Sequence, residues 1–214
     1  MPFILQKENS VASQFLSELR DQHIQQDRLR FRTNMERLGN IMAYEISRQL
    51  AYQRKDIQTP LQKTTLNVLQ QQPVLLTILR AGIPYFRGFL HFFDHADCGF
   101  IGAHRQEDGD TPEVRLGYDA LPETEGRDVI LIDPMLATGS SVLKALEVIL
   151  QRGCPRHLFI ACVVAAPEGL DELSRNISIT HSIWCAAVDE KLNHQFYIVP
   201  GLGDAGDLSF GKKR

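Results

Sequence analysis

One stretch of this chain constrains it most: Val129-Ile-Leu-Ile-Asp133-Pro-Met-Leu-Ala-Thr138-Gly139-Ser140-Ser141, an apolar run, a loop of small and hydroxylic residues, and a helix start. The helix is predicted from Val142, Leu146, Ile149 and Leu150, spaced to face one way and ended by Gly153 and Pro155. A strand, loop and helix in this order would put backbone N–H groups, hydroxyls and the positive end of the helix dipole around one anion. Gly139 would give the backbone close approach. Such a pocket suits a monophosphate dianion. A nucleoside triphosphate would call for G-x-x-x-x-G-K-[ST], and no lysine occurs in this stretch before Lys144. Asp133 would end the strand at the edge where open α/β sheets bind ligands, where it could hold sugar hydroxyls. From spacing alone, a capped βα turn with no ligand fits equally well.

Val74 to Leu79, Cys98 to Ala103 and Leu158 to Ala166 read as further buried strands, and Thr180 to Val188 as another. Strands separated by a helix imply a parallel sheet with right-handed crossovers, hence the α/β class. Val11 to Tyr52 reads helical: Met35, Leu38, Ile41, Met42, Ile46 and Leu50 recur at three- and four-residue spacing, with Arg37, Asn40 and Arg48 between them. Pro60 is predicted to open another helix in its first turn. Val114 to Leu121, bracketed by Gly109-Asp-Thr-Pro112 and Pro122, reads as a projecting hairpin or arm.

At 214 residues, with 43% apolar and 23% charged residues, the chain fits one globular domain and lacks the signature of disorder. A net charge of −3 and a single basic run, Lys212-Lys213-Arg214, give no pull toward nucleic acid or an acidic membrane. Cys98, Cys154, Cys162 and Cys185 lie far apart without a CxxC pair, which argues against zinc and a redox dithiol. The seven histidines show no H-E-x-x-H spacing, and Trp184 sits in an apolar run as a core residue. The N-terminal apolar stretch is too short for a signal peptide and no run of 18 apolar residues occurs, so the cytoplasm is the expected compartment.

Asp133-Pro-Met-Leu-Ala-Thr-Gly-Ser-Ser141 resembles the PRPP (5-phosphoribosyl diphosphate) signature of the uracil phosphoribosyltransferases, a branch of the type I phosphoribosyltransferases. The family form ends Gly-Gly-Ser, and Ser140 stands where its second glycine usually is. Tyr197-Ile-Val-Pro-Gly-Leu-Gly-Asp-Ala-Gly-Asp207 with Phe210-Gly211 resembles the family's uracil-binding segment, with Leu208 where arginine is common. The likeness extends through Leu19-Arg-Asp21, Phe31-Arg32, Ile78-Leu-Arg-Ala-Gly82, Ile101-Gly102 with Arg105, Ala165-Ala-Pro-Glu-Gly169 and Asp189-Glu-Lys-Leu-Asn193, in the family's order.

The resemblance implies the type I phosphoribosyltransferase fold: a mostly parallel central sheet flanked by helices, with a small hood and a projecting β-arm. It implies one domain over 1–214, with N-terminal helices at 1–60, an arm at 109–122 and a base-binding segment at 189–214. The implied reaction turns uracil and PRPP into UMP and pyrophosphate, in pyrimidine salvage. Asp133, Pro134, Met135, Leu136, Ala137, Thr138, Gly139, Ser140 and Ser141 would hold the ribose and 5-phosphate, and Arg80 and Arg105 the pyrophosphate. Ile198, Gly203 and Ala205 would read uracil, mainly through main-chain groups, with Asp204 beside the ribose and the reacting nitrogen. Asp204, Arg80 and Arg105 are thus the implied catalytic residues. Pro134 occupies the place where most other type I enzymes carry a second acidic residue. Magnesium (Mg2+) is therefore expected on the PRPP diphosphate and not in a protein-built site. A homodimer or higher even homo-oligomer is implied, with contacts through the arm and the N-terminal helices. The alternative is a non-catalytic PRPP- or UMP-binding regulatory protein of the same fold, which the departures at Ser140 and Leu208 would favour.

Overall fold

A computed structural model describes the backbone of residues 1–106 and 113–212, and the side chains of all of these except 104–106 and 113–115. The strands are β1 (Phe3–Ile4), β2 (Tyr52–Gln58), β3 (Lys63–Leu69), β4 (Val74–Leu79), β5 (Cys98–Gln106) and β6 (Glu113–Ala120), then β7 (Asp128–Ile132), β8 (Met135–Leu136), β9 (His157–Ala165), β10 (His181–Val188), β11 (Lys191–Leu192) and β12 (Ile198–Val199). The helices are α1 (Val11–Arg20), α2 (Arg28–Ser47), α3 (Gly82–Leu90), α4 (Ser140–Leu150), α5 (Pro167–Asn176) and α6 (Ala205–Phe210).

The main sheet runs β1-β10-β9-β7-β4-β5-β6, with β8 also paired to β9. All its pairings are parallel except β5 with β6. The interior strands β4, β7 and β9 are almost wholly apolar because both their faces are covered. In β7, Ile130 and Ile132 face one core with residues of α1, α2 and α3, while Val129 and Leu131 face a second with residues of α4 and α5. Neighbouring β9 alternates the same way, Phe159 and Ala161 to the first side, Leu158 and Ile160 to the second. This is the mostly parallel, helix-flanked sheet that the sequence predicts.

On the first side, α1 is fastened to α2 by one carboxylate. Glu18 accepts from Arg30 Nε and Nη2 at 2.6 and 2.8 Å, from Asn34 Nδ2 at 2.6 Å and from Gln14 Nε2 at 3.1 Å. The Arg30 bond above all, then those from Asn34 and Gln14, hold its pKa down to about 2.

Several sequence expectations are corrected here. The helical reading to Tyr52 stops at Ser47, and β2 and β3 form a separate antiparallel ribbon where Pro60 was expected to open a helix. Pro60 instead lies in the ribbon's turn, where Thr59 Oγ1 accepts from the N–H groups of Leu61 and Gln62. The ribbon is exposed on both faces, so its sequence lacks the alternation that marks a half-buried strand. Leu150 is exposed at the end of α4, unlike Val142, Leu146 and Ile149. Val114 to Leu121, expected to be a hairpin or arm by itself, falls almost wholly in a single strand, β6, paired antiparallel with β5. β5 pairs with β4 only as far as Gly102, so its continuation and the start of β6 leave the sheet as a two-stranded extension. Residues 109–112 of the expected arm lie outside the described residues.

Candidate active site

Because β4, β7, β9 and β10 are parallel, the loops that follow them open on one edge of the sheet. The loop after β7 is bonded to β9 at its base. Asp133 N–H donates to the Ala161 carbonyl at 3.1 Å, and Val163 and Val164 N–H donate to the Pro134 carbonyl at 2.9 and 3.0 Å. β8 then runs alongside Val164 and Ala165. Gly139, at φ +83°, turns the chain into α4, and Thr138 Oγ1 and Ser140 Oγ lie 2.9 Å apart beside it. Helix α5 backs the loop so closely that a Cβ on Gly169 would fall 2.4 Å from the Ala137 carbonyl oxygen. With glycine at its cap position, α4 has no side-chain cap from that residue over its first-turn N–H groups.

Arg80 follows β4, after a cis Leu79–Arg80 peptide. Its Nη2 lies 3.4 Å from the Gly211 carbonyl and 3.5 Å from Asp207 Oδ1. Its Nε is buried and has no partner among the described residues. A buried guanidinium N–H without an acceptor is costly, and an anionic ligand would satisfy it.

The third wall comes from the C-terminal segment. Asn193 Oδ1 accepts from Gln195 and Tyr197 N–H at 2.9 Å each, folding a turn in which Phe196 takes φ 61°. Buried Ile198, a cis Val199–Pro200 peptide and Gly201 follow. Asp204 Oδ1 accepts from Asp207 N–H at 2.9 Å and so caps α6. Leu208 packs against the first core and would lie 3.6 Å from a Cβ on Gly203, so it supports the segment by apolar contact. Arg32 Nη1 holds the Ser209 carbonyl at 2.8 Å.

These walls enclose a cavity of about 450 Å³. It brings Arg80, Asp133, Met135, Ala137, Ser141 and Asp204 together with Ile198, Gly203 and Ala205. Pro134, Thr138, Gly139 and Ser140 belong to the loop without lining the cavity. β8 alternates, so Met135 faces the cavity while the Leu136 side chain is buried among residues of α4 and α5. Arg105 lies on β5 two residues beyond Ala103, which lines the cavity; its side chain is outside those described. Phe196, Tyr197, Asp207 and Lys212 also line the cavity; all four fall in the 189–214 segment implied to bind the base, though none was given a role of its own.

The family model for uracil phosphoribosyltransferase matches residues 6–212. A uracil phosphoribosyltransferase of Porphyromonas gingivalis is 43% identical over 207 residues, 96% of each chain. One of Pyrococcus furiosus is 36% identical over 204 residues, 93% of this chain and 85% of that one. A solved structure of a protein from Aquifex aeolicus, 32% identical, superposes with a TM-score of 0.88 over 99% of this chain and 98% of that one.

Proposed function

The chain belongs to the uracil phosphoribosyltransferase family, and from that premise we propose that its cavity joins uracil to PRPP, giving UMP and pyrophosphate. The chain is an enzyme, a phosphoribosyltransferase of the glycosyltransferase class. The observation that carries the division of labour is one cavity shared by the loop after β7, by Arg80 and by the Ile198-to-Ala205 segment. A sugar phosphate lying across it would have its 5-phosphate at the Thr138–Ser141 loop, its ribose by Asp133 and Asp204, and its diphosphate at Arg80. Arg80 Nε, buried without an acceptor among the described residues, supports that placement of the diphosphate. Arg105, on the strand that borders the cavity, is proposed as the second diphosphate ligand.

Uracil presents two carbonyl acceptors and an N3–H donor. Main-chain groups of Ile198, Gly203 and Ala205 can complement them without a charged side chain. Cytosine would place a donor where uracil has its O4 acceptor, a buried mismatch worth roughly 10⁴-fold in discrimination. As pyrophosphate leaves C1′, uracil N1 approaches the opposite face and the ribose gains positive charge. The protein's part is positioning and electrostatics: Arg80 and Arg105 steady the departing diphosphate, and Asp204 accepts the N1 proton through water or stabilises the cationic ribose. Magnesium carried on PRPP would neutralise the leaving group. The carboxylates lining the cavity, Asp133, Asp204 and Asp207, are hard oxygen donors of the kind it or its waters favour.

We further propose that the protein works as a homodimer or higher even oligomer in the cytoplasm. Among the described residues no helix is long and apolar enough to cross a membrane. The test is direct: purified protein with magnesium, PRPP and uracil should yield UMP and pyrophosphate. Measurable PRPP binding with no UMP formed would replace this function with that of a regulatory binding protein.

A further inference from the structure

Asp189 follows β10 at the edge of the sheet where the cavity opens, and only 4% of its side chain is exposed. Arg20, the last residue of α1, donates to it from Nη1 at 2.9 Å and from Nη2 at 2.6 Å. The Gly201 N–H donates to the same carboxylate at 2.7 Å, and Arg20 Nη1 also donates to the Gly201 carbonyl at 3.1 Å. Both backbone groups of Gly201 are thus tied to one ion pair. Gly201 itself is at φ +62°, and a Cβ there would fall 2.2 Å from the Ile198 carbonyl oxygen, so this position can carry no side chain that would anchor it. Its neighbours on either side, Ile198 and Gly203, line the cavity, whereas Arg20 and Asp189 do not.

A main-chain surface discriminates between bases only as well as its backbone is held, since groups that must be ordered on binding weaken recognition. We propose that Arg20 and Asp189 are positioning residues for base recognition: they hold Gly201, and through it the Ile198-to-Ala205 segment, in the register that reads uracil. The proposal rests on the assignment of that segment to the base. A pair serving only to tie α1 to β10 would be complete in its bidentate contact; the two bonds to Gly201 are what a purely structural role leaves over.

The test is steady-state kinetics on the full chain carrying Asp189→Asn or Arg20→Lys. As a control, Asp128→Asn breaks the bidentate pair with Arg156 at the start of β7, on the opposite edge of the sheet. The uracil KM should rise about tenfold in the first two variants, with the PRPP KM moving far less. The control should leave both values in place. KM does not depend on how much of a preparation is folded, so a partly unfolded variant still gives an answer. Hydrogen exchange at the Gly201 amide, measured without substrates, should speed up in both variants relative to β7 amides. An unchanged uracil KM, a parallel rise in both KM values, or unchanged Gly201 exchange overturns the proposal. If wild type itself forms no UMP, the base assignment fails instead.

Discussion

At Asp204 one carboxylate has a structural duty and faces the cavity as well. Its Oδ1 caps α6 through the Asp207 N–H. Asparagine caps a helix as well as aspartate does, so Asp204→Asn retains the fold of the segment and removes only the charge. If that charge takes the N1 proton or steadies the ribose, kcat should fall on the order of 10²-fold with the thermal midpoint unchanged. Wild-type turnover in the variant would remove both roles. Glu18 shows the other kind of ionised residue, one that serves stability. Its folded pKa of about 2 lies below the ordinary carboxylate range. Above that range both folded and unfolded chains are ionised, and the stabilisation is fully present. As pH falls the unfolded state takes up its proton first, and the contribution drains away down to about pH 2. Asp21, lowered by the N–H groups of His23 and Ile24, works in the same direction. Melting curves between about pH 6 and about pH 3 should therefore show a steeper loss of stability in wild type than in Glu18→Gln. Parallel slopes would mean that the α1–α2 fastening is not electrostatic.

Among the elements, the β7–loop–α4 unit carries the most chemistry and was also the most legible. Its apolar run, its loop and its helix face are all local in sequence, so spacing alone located residues 129–150. The other interior strands were legible for the same reason, being buried on both faces. The β2–β3 ribbon was not, because strands exposed on both faces carry no period-two signal. Nor was the Arg20–Asp189 pair, whose partners are 169 positions apart and meet only once α1 has packed and β10 has joined the sheet. In the cradle itself, the inward turn of Leu136 depends on β8 pairing with β9, which nothing in a two-residue strand announces. The loop's conformation makes a sharp prediction at Gly139. Alanine there must adopt φ +83° and would bring its Cβ to 3.1 Å from Leu173 Cδ2 and 3.3 Å from the Gly169 carbonyl. The strain, about 1–3 kcal/mol, can be relieved only by moving the loop. Gly139→Ala should raise the PRPP KM by about tenfold or more while the uracil KM changes little. Equal effects on both substrates would place the loop's influence elsewhere than on the phosphate.

For the molecule as a whole, the β2–β3 ribbon is the feature that a lone chain explains least. An isolated two-stranded ribbon is marginal in water, and this one forms a sheet of its own, its edges unpaired among the described residues. It also shows apolar side chains to solvent: Leu61 at the turn is 94% exposed, and Leu66 and Tyr52 are exposed as well. These apolar positions are where the even oligomer proposed above would cover the ribbon. A second copy is the occupant that the proposed even oligomer supplies, and covering Leu61 and Leu66 would stabilise each ribbon as well as join the copies. Changing both to glutamate places like charges at the contact and should shift the protein toward monomer in sedimentation velocity, with the circular dichroism of the main sheet and helices retained. A wild-type protein that sediments as a monomer at micromolar concentration would leave the ribbon to some other partner and remove the dimer from the account.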